Sequence, residues 1–347
     1  MVMRIGVVGG GLFGCTTAIY AARAGHDVHL FEKSPCILLG ATAHSFNRLH
    51  RGYHYPRSLE TGRESRAAEP SFRTEFQNAV IDGGRQFYVV PDDEHNHVTP
   101  ESFREFLAKE GLLFFQDGEL FRVVEPRVNV GILRVLLIPK LLEAGVNVHL
   151  DCAMPDDARE RFDEIVVAAY ADSNMVLAAL GLPPQTYRYQ LVERPVLELP
   201  ERFKDTSIVA IDGPYGCIDP LDDGPFHILG HVTKLVHAQN EGIAKELPKD
   251  HAAFSREAPE AMPTRVWEAI DDLAKLMPGL KGATHICSTY VWRAVLAGQE
   301  ATDARPSLTE RLDGQVIRIF SGKLGTAVAC AEKVVQMIAG VETQAAA

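Results

Sequence analysis

The segment from Arg4 to Glu32 restricts the possible fold more than any other part of the 347-residue chain. Ile5-Gly6-Val7-Val8 is a short apolar run with β-branched residues, which reads as a buried strand. Gly9, Gly11 and Gly14 follow in the pattern GxGxxG. A helical stretch from Cys15 to Ala24 comes next and Gly25 stops it. Val28-His29-Leu30-Phe31 is a second strand, and Glu32 closes it. In such a unit the first glycine permits a tight turn, the second lets backbone approach a pyrophosphate, and the third lets helix and strand pack closely. The helix start offers unpaired N–H groups and partial positive charge to phosphate. A carboxylate at Glu32 accepts hydrogen bonds from a ribose and repels a 2′-phosphate. The pattern predicts an adenine dinucleotide site and leaves FAD and NAD both open.

Further along, Gly131 to Ala144 is apolar and helical, with Pro139 expected to kink or divide it. Val146 to Leu150 alternates like a half-buried strand, and Glu164 to Ala169 reads as a central parallel strand. The chain closes with a strand, Val316 to Phe320, a turn at Ser321-Gly322 and a helix to about Ile338. Residues 81–130 and 185–282 differ in texture: strand-like runs such as Gln86–Val90 and Val196–Leu199 alternate with turn clusters such as Asp82-Gly83-Gly84 and Asp222-Asp223-Gly224. Helices are expected at Pro100–Glu110 and Pro263–Leu276. The expected architecture is α/β. A discontinuous Rossmann-like layer comprises 1–80, 131–184 and 283–340, and an antiparallel-sheet substrate domain from 81–130 and 185–282 is inserted into it.

Composition narrows the partners. A formal net charge of −11 without a basic run disfavours nucleic acid and anionic membrane surfaces. No stretch has the ~18–20 uninterrupted apolar residues needed to cross a bilayer. The six cysteines lack a CxxC pair, so reduced thiols and a cytoplasmic location are expected. Histidines and cysteines show no ligand spacing, and no metal is expected.

The segment Gly40 to Arg57 is dense in polar, cationic and aromatic groups. On it, the chain resembles the D-amino-acid oxidase superfamily of FAD enzymes, which includes glycine, sarcosine and hydroxyglutarate oxidases. Two distant stretches carry the same resemblance. One is Ile165 to Ser173, where Tyr170 stands at a position usually glycine. The other pairs Asp303-Ala304-Arg305-Pro306-Ser307 with Phe320 to Ala327. The resemblance implies non-covalent FAD, since the surroundings of Cys287 do not match the family's attachment motif. It implies a cofactor site at Gly9, Gly11, Leu12, Phe13, Gly14, Glu32, Lys33, Thr42, Ala43 and Ala169, completed by Gly322, Lys323, Leu324, Gly325 and Thr326.

It also implies roles for the arginine pair, with Arg48 beside the flavin and Arg51 gripping a substrate carboxylate through two parallel hydrogen bonds. Either arginine could instead pair with an acid of the protein. Lys323 would stabilise negative charge on the reduced ring. His50, with His44 and His54 nearby, is a candidate base. Tyr53, Tyr55 and Tyr215 are candidates for the substrate face, as are Asp219 and Trp292. Arg293 is the alternative carboxylate anchor. The implied reaction is hydride transfer from a small amine or amino acid, giving an imine, with oxygen or another electron acceptor closing the cycle. A 2-hydroxy acid or sugar-like alcohol is the alternative substrate. A non-catalytic dinucleotide-binding or redox-sensing protein is the alternative from another class.

Overall fold

The apolar run at the N-terminus becomes β1 (Arg4–Val8), the middle of a six-stranded sheet. The structure is a computed structural model and describes residues 1–221, 224–247, 263–299 and 302–340. β1 pairs in parallel with β2 (Asp27–Phe31) on one side and β9 (Glu164–Val167) on the other, so Val7 lies opposite Leu30 and Val166. β8 (Asn147–His149) and β17 (Val316–Phe320) extend the parallel ladder, and β16 (Leu308–Arg311) adds an antiparallel edge.

Both faces of this sheet are covered, which explains why its strands are apolar at consecutive positions. Ile5, Val7, Leu30, Val166 and Ile317 face α1 (Leu12–Arg23), α2 (Leu59–Phe76), α4 (Val130–Glu143) and α8 (Ala327–Ile338). Val8, Phe31, Ile165 and Val167 face the other way, toward Val176 and Leu177 of α6 (Ser173–Ala179) and Ala158 of α5 (Ala158–Arg161).

The second sheet has nine strands. Its backbone is β10 (Tyr187–Glu198), flanked along its whole length by β15 (Thr284–Leu296) and on its other side by β14 (Val236–Gly242) and then β13 (Phe226–His231). β12 (Gly216–Pro220), β11 (Thr206–Ala210), β4 (Arg85–Val89), β6 (Leu120–Val123) and β5 (Phe114–Asp117) complete the order. Helix α7 (Val266–Leu273) packs on one part of the sheet, and α3 (Pro100–Lys109) on another. A third, two-stranded sheet joins β3 (Val80–Ile81) to β7 (Arg127–Val128).

Several expectations change. The boundary at 283 assigned Thr284–Leu296 to the dinucleotide layer, whereas hydrogen bonding ties this strand to β10. The inserted sheet is mixed, because β4 and β11 run parallel. Helix α1 starts at Leu12, inside the glycine motif. Tyr53 and His54 form a turn just before Tyr55. The expected turn residues Asp222 and Asp223 lie outside the described residues.

Pro139 does not divide α4, which runs through it. The missing N–H leaves the Val135 carbonyl without its helical donor, but Val135 is exposed and water can supply one. Pro139→Ala restores that bond at an exposed position. It is expected to raise stability by about 1–3 kcal/mol, checked by denaturant unfolding.

Candidate active site

The chain turns sharply after β1. Gly9 has φ +108°, and its N–H donates to the Phe31 carbonyl at 2.8 Å. A Cβ added to Gly14 would fall 1.8 Å from the Gly9 carbonyl oxygen, so only glycine lets the helix start this close to the strand. A Cβ on Gly11 would meet nothing nearer than Thr42 Oγ1 at 3.9 Å, which leaves its backbone open to a ligand. Gly11 is the N-cap and has no side chain to satisfy the first turn of α1. Glu32 is held at the rim by the N–H groups of Gly10 (2.7 Å) and Ser34 (2.8 Å). These are the features an adenine dinucleotide requires, and the residues fit one.

From this turn a cavity of about 1490 Å³ runs to the second sheet. Gly9, Gly11, Leu12, Phe13, Glu32, Lys33, Thr42 and Ala169 line one part of it. Arg48, His50, Tyr55, Arg293, Gly322, Lys323 and Leu324 line another. The turn before β1's helix and the turn after β17 thus open onto one space, although more than 300 residues separate them in the chain. Gly14, Ala43, Gly325 and Thr326 lie behind the lining. Gly325 packs on Leu49, and Thr326 joins a cluster of hydroxyls with Ser307 and Ser321. Cys287 is exposed and outside the lining.

The cations separate into paired and unpaired groups. Arg51 lies outside the cavity: its Nε and Nη2 both donate to Glu69 at 2.6 Å, and its Nη1 donates to the Val124 carbonyl at 3.3 Å. Its fork is therefore already filled, and the expected grip on a substrate carboxylate is corrected. Arg48 reaches the cavity, but it is buried in a two-point pair with Asp219, which holds it protonated against the penalty of burial. The Lys323 ammonium donates to Glu64 at 2.7 Å and to the Arg305 carbonyl, so its charge is neutralised beneath the turn and pins the turn to α2. Tyr53 donates to the Leu113 carbonyl within a core that includes Tyr88 and Phe103. Tyr215 donates to Asp93 at 2.6 Å and does not line the cavity.

Arg194 and Arg293 are different. Strand alternation and the register of β10 with β15 put Gln190 opposite Arg293 and Arg194 opposite Thr289. All four therefore share one face of the sheet, and all four line the cavity. Arg194 donates to the backbone carbonyls of His44 (3.2 Å) and Glu193 (3.4 Å), and its guanidinium lies 4.5 Å from the Phe46 ring centroid. Burial, reinforced by Arg293, lowers its pKa to about 10. Burial also lowers that of Arg293, with Arg305 adding to the effect, and the buried Nε of Arg293 has no hydrogen-bond partner. Among the described residues, neither makes an ion pair with a carboxylate.

The histidines form a second feature. His50 Nδ1 lies 3.3 Å from the buried carboxylate of Glu125, which also accepts from the Arg51 N–H (3.0 Å) and the Tyr88 hydroxyl (3.0 Å). Burial pushes the Glu125 carboxyl up, but His50, Arg48 and the Arg51 N–H outweigh it and bring the pKa to about 2. His54 stacks on His50 at 5.4 Å, and burial with His50's charge lowers its pKa to about 3. His54 is therefore neutral at physiological pH. Sequence reading missed Arg194 and Glu125. The even-numbered polar positions 188, 190 and 194 were a usable signal for Arg194, whereas no spacing connects residue 125 to residue 50.

Residues 4–110 match the family model described as FAD dependent oxidoreductase. The chain is 28% identical over 382 aligned residues to the FAD-dependent monooxygenase kojA of Aspergillus flavus, covering 97% of this chain and 86% of that protein. Its fold superposes on glycine oxidase from Geobacillus kaustophilus with a TM-score of 0.71 at 16% identity, covering 99% and 96% of the two chains. It also superposes on L-α-glycerophosphate oxidase from Mycoplasma pneumoniae, solved with FAD bound, with a TM-score of 0.70 at 13% identity and coverage of 98% and 95%.

The depressed Glu125 pKa carries a pH signature. Its contribution to stability is complete above the ordinary value of 4.5 and is lost as pH falls toward about 2. Glu125→Gln should lower stability at pH 7 by about 1.5–3 kcal/mol, the worth of charge-assisted hydrogen bonds. It should also flatten the fall of melting temperature between pH 4.5 and 2 relative to wild type. Parallel curves for the two proteins would remove the carboxylate from this role.

Proposed function

We propose that this chain, which matches the FAD dependent oxidoreductase family model over residues 4–110, oxidises a small carboxylate-bearing amine. Hydride would leave the carbon that carries the nitrogen, and the product would be an imine. The observation that carries this reading is the buried Arg194 and the half-buried Arg293, both in the cavity wall and neither with an ion-pairing carboxylate among the described residues. A buried cation is costly unless an anion answers it, and a substrate carboxylate supplies one. The flavin, when bound, supplies the two-electron acceptor.

The chain's own groups account for binding and orientation. Arg293 receives the carboxylate, and Gln190, its cross-strand neighbour, offers an amide beside it. Arg194 adds positive potential from the same sheet face. Arg48 is tied to Asp219 and keeps the loop after Thr42 in place. Neutral His54 adds no positive charge that would repel a substrate ammonium entering the cavity. The name of the structural neighbour glycine oxidase is consistent with an amino-acid substrate. Dioxygen is the proposed terminal acceptor, which would give hydrogen peroxide.

One observation favours a second reading, in which the same carbon carries a hydroxyl. An alcohol needs a base to take its proton, and His50 is a histidine in the cavity lining oriented by a buried carboxylate, Glu125. The name of L-α-glycerophosphate oxidase is consistent with hydroxyl chemistry on this fold.

Substrate kinetics on two variants separate these readings. Arg293→Ala is expected to raise KM for carboxylated substrates about 100-fold, with little change for uncharged ones. His50→Gln should reduce kcat by about 10²–10⁴-fold if the substrate is a hydroxy acid, and by less than tenfold if it is an amine. An Arg293→Ala enzyme with unchanged KM for carboxylated substrates would contradict the anion site.

A further inference from the structure

Tyr170 lines the cavity at the end of the six-stranded sheet. It follows β9 directly, opens the 3₁₀ turn Tyr170–Asp172, and has φ +50°. That left-handed conformation suits glycine, and a bulky side chain is held there only when its surroundings enforce it. The surroundings here are aromatic. The Tyr170 ring stacks on Phe320 at 5.5 Å with 24° between planes, and Phe320 stacks on Tyr187 at 4.6 Å and 20°. A three-ring column therefore fixes the phenol, and its middle ring, Phe320, lines the cavity beside it.

Its hydroxyl lies 3.8 Å from where a Cβ on Gly322 would stand, at the turn that follows β17. The groups that act on this hydroxyl are Arg293 first, then the backbone N–H of Ala294, then Arg305 and Arg194. All of them favour its ionised form, but burial outweighs them and raises its pKa, so the phenol keeps its proton. Ala294 lies on β15, directly after Arg293. Among the described residues no acceptor takes the Tyr170 hydroxyl hydrogen, and the side chain lines the cavity. The phenol is thus a hydrogen-bond donor without an acceptor among the described residues, set against the backbone of Ala294, the residue after Arg293.

We propose that Tyr170 is a specificity-determining residue whose hydroxyl donates to the anionic group held at Arg293, while its ring closes that flank of the cavity. This deepens the reading given under Proposed function and rests on it. A glycine, as the resemblance leads one to expect here, would leave both the donor and the ring absent. The strained backbone is maintained because the side chain has this task. The ligand that fits is a compact carboxylate: its two oxygens can take one contact from the guanidinium and one from the phenol. A bulky substituent on that side would meet the ring.

Propionate titrated into the oxidised, FAD-loaded enzyme tests this, with binding read from the perturbed flavin absorbance. Tyr170→Phe keeps the stacking and removes only the donor. It should weaken propionate about tenfold, the worth of one hydrogen bond to a charged group, while FAD affinity, measured separately by fluorescence, stays within about twofold. Tyr170→Gly fits the backbone without strain and serves as the second variant. It should lose a similar factor for propionate and shift the benzoate-to-propionate affinity ratio about tenfold toward benzoate. Arg293→Ala is the reference. If it weakens propionate while Tyr170→Phe binds like wild type, the Tyr170 proposal is overturned and the anion site stands. If Arg293→Ala binds like wild type while Tyr170→Phe is weakened, the phenol contact stands and the role given to Arg293 is overturned.

Discussion

A buried guanidinium must have an answering charge or polar shell, and in this protein that requirement orders almost every cation near the cavity. Arg48 is answered by Asp219, Arg51 by Glu69, Lys323 by Glu64, Arg57 by Asp212 and Arg305 by Asp303. These pairs connect parts of the chain that are far apart. Arg48 and Asp219 join the polar loop after β2 to the large sheet, and Lys323 and Glu64 join the closing turn to α2. Arg194 and Arg293 fall outside the pattern. They lie four positions apart on one face of the ladder that holds the large sheet together, and both line the cavity.

The fold makes this arrangement possible by letting two sheets of different character meet. The six-stranded sheet is apolar on both faces and ends in turns made of glycine, where backbone can approach a ligand closely. The nine-stranded sheet carries its chemistry on side chains, through strand alternation on β10 and β15. The first therefore offers backbone to a cofactor, and the second offers the side chains on which the proposed substrate site is built.

The dinucleotide layer was legible in the sequence because its signals are local. Gly9, Gly11, Gly14 and Glu32 lie within one strand–helix–strand unit, and each residue type has a single steric or hydrogen-bonding reason. The substrate side was only partly legible. Arg293 could be proposed from its strand, but its isolation from carboxylates depends on which acids the fold brings near. For Arg51 the same dependence ran the other way: Glu69, 18 residues along on α2, fills its guanidinium. Glu125 illustrates the limit, since its partner His50 is 75 residues away and nothing in the intervening sequence marks the contact. The boundary at 283 failed for a related reason, because a long strand pairs according to register, which composition does not reveal.

The central claim is that the cavity selects an anionic substrate and presents it to FAD. It is tested most directly by anaerobic rapid mixing of the FAD-loaded enzyme with a panel of small amino acids and, in parallel, the corresponding amino-acid amides, which lack the carboxylate. The account predicts that at least one amino acid bleaches the flavin with saturating kinetics, while its amide does so at least 100-fold less efficiently. Equal reduction by acid and amide would contradict it.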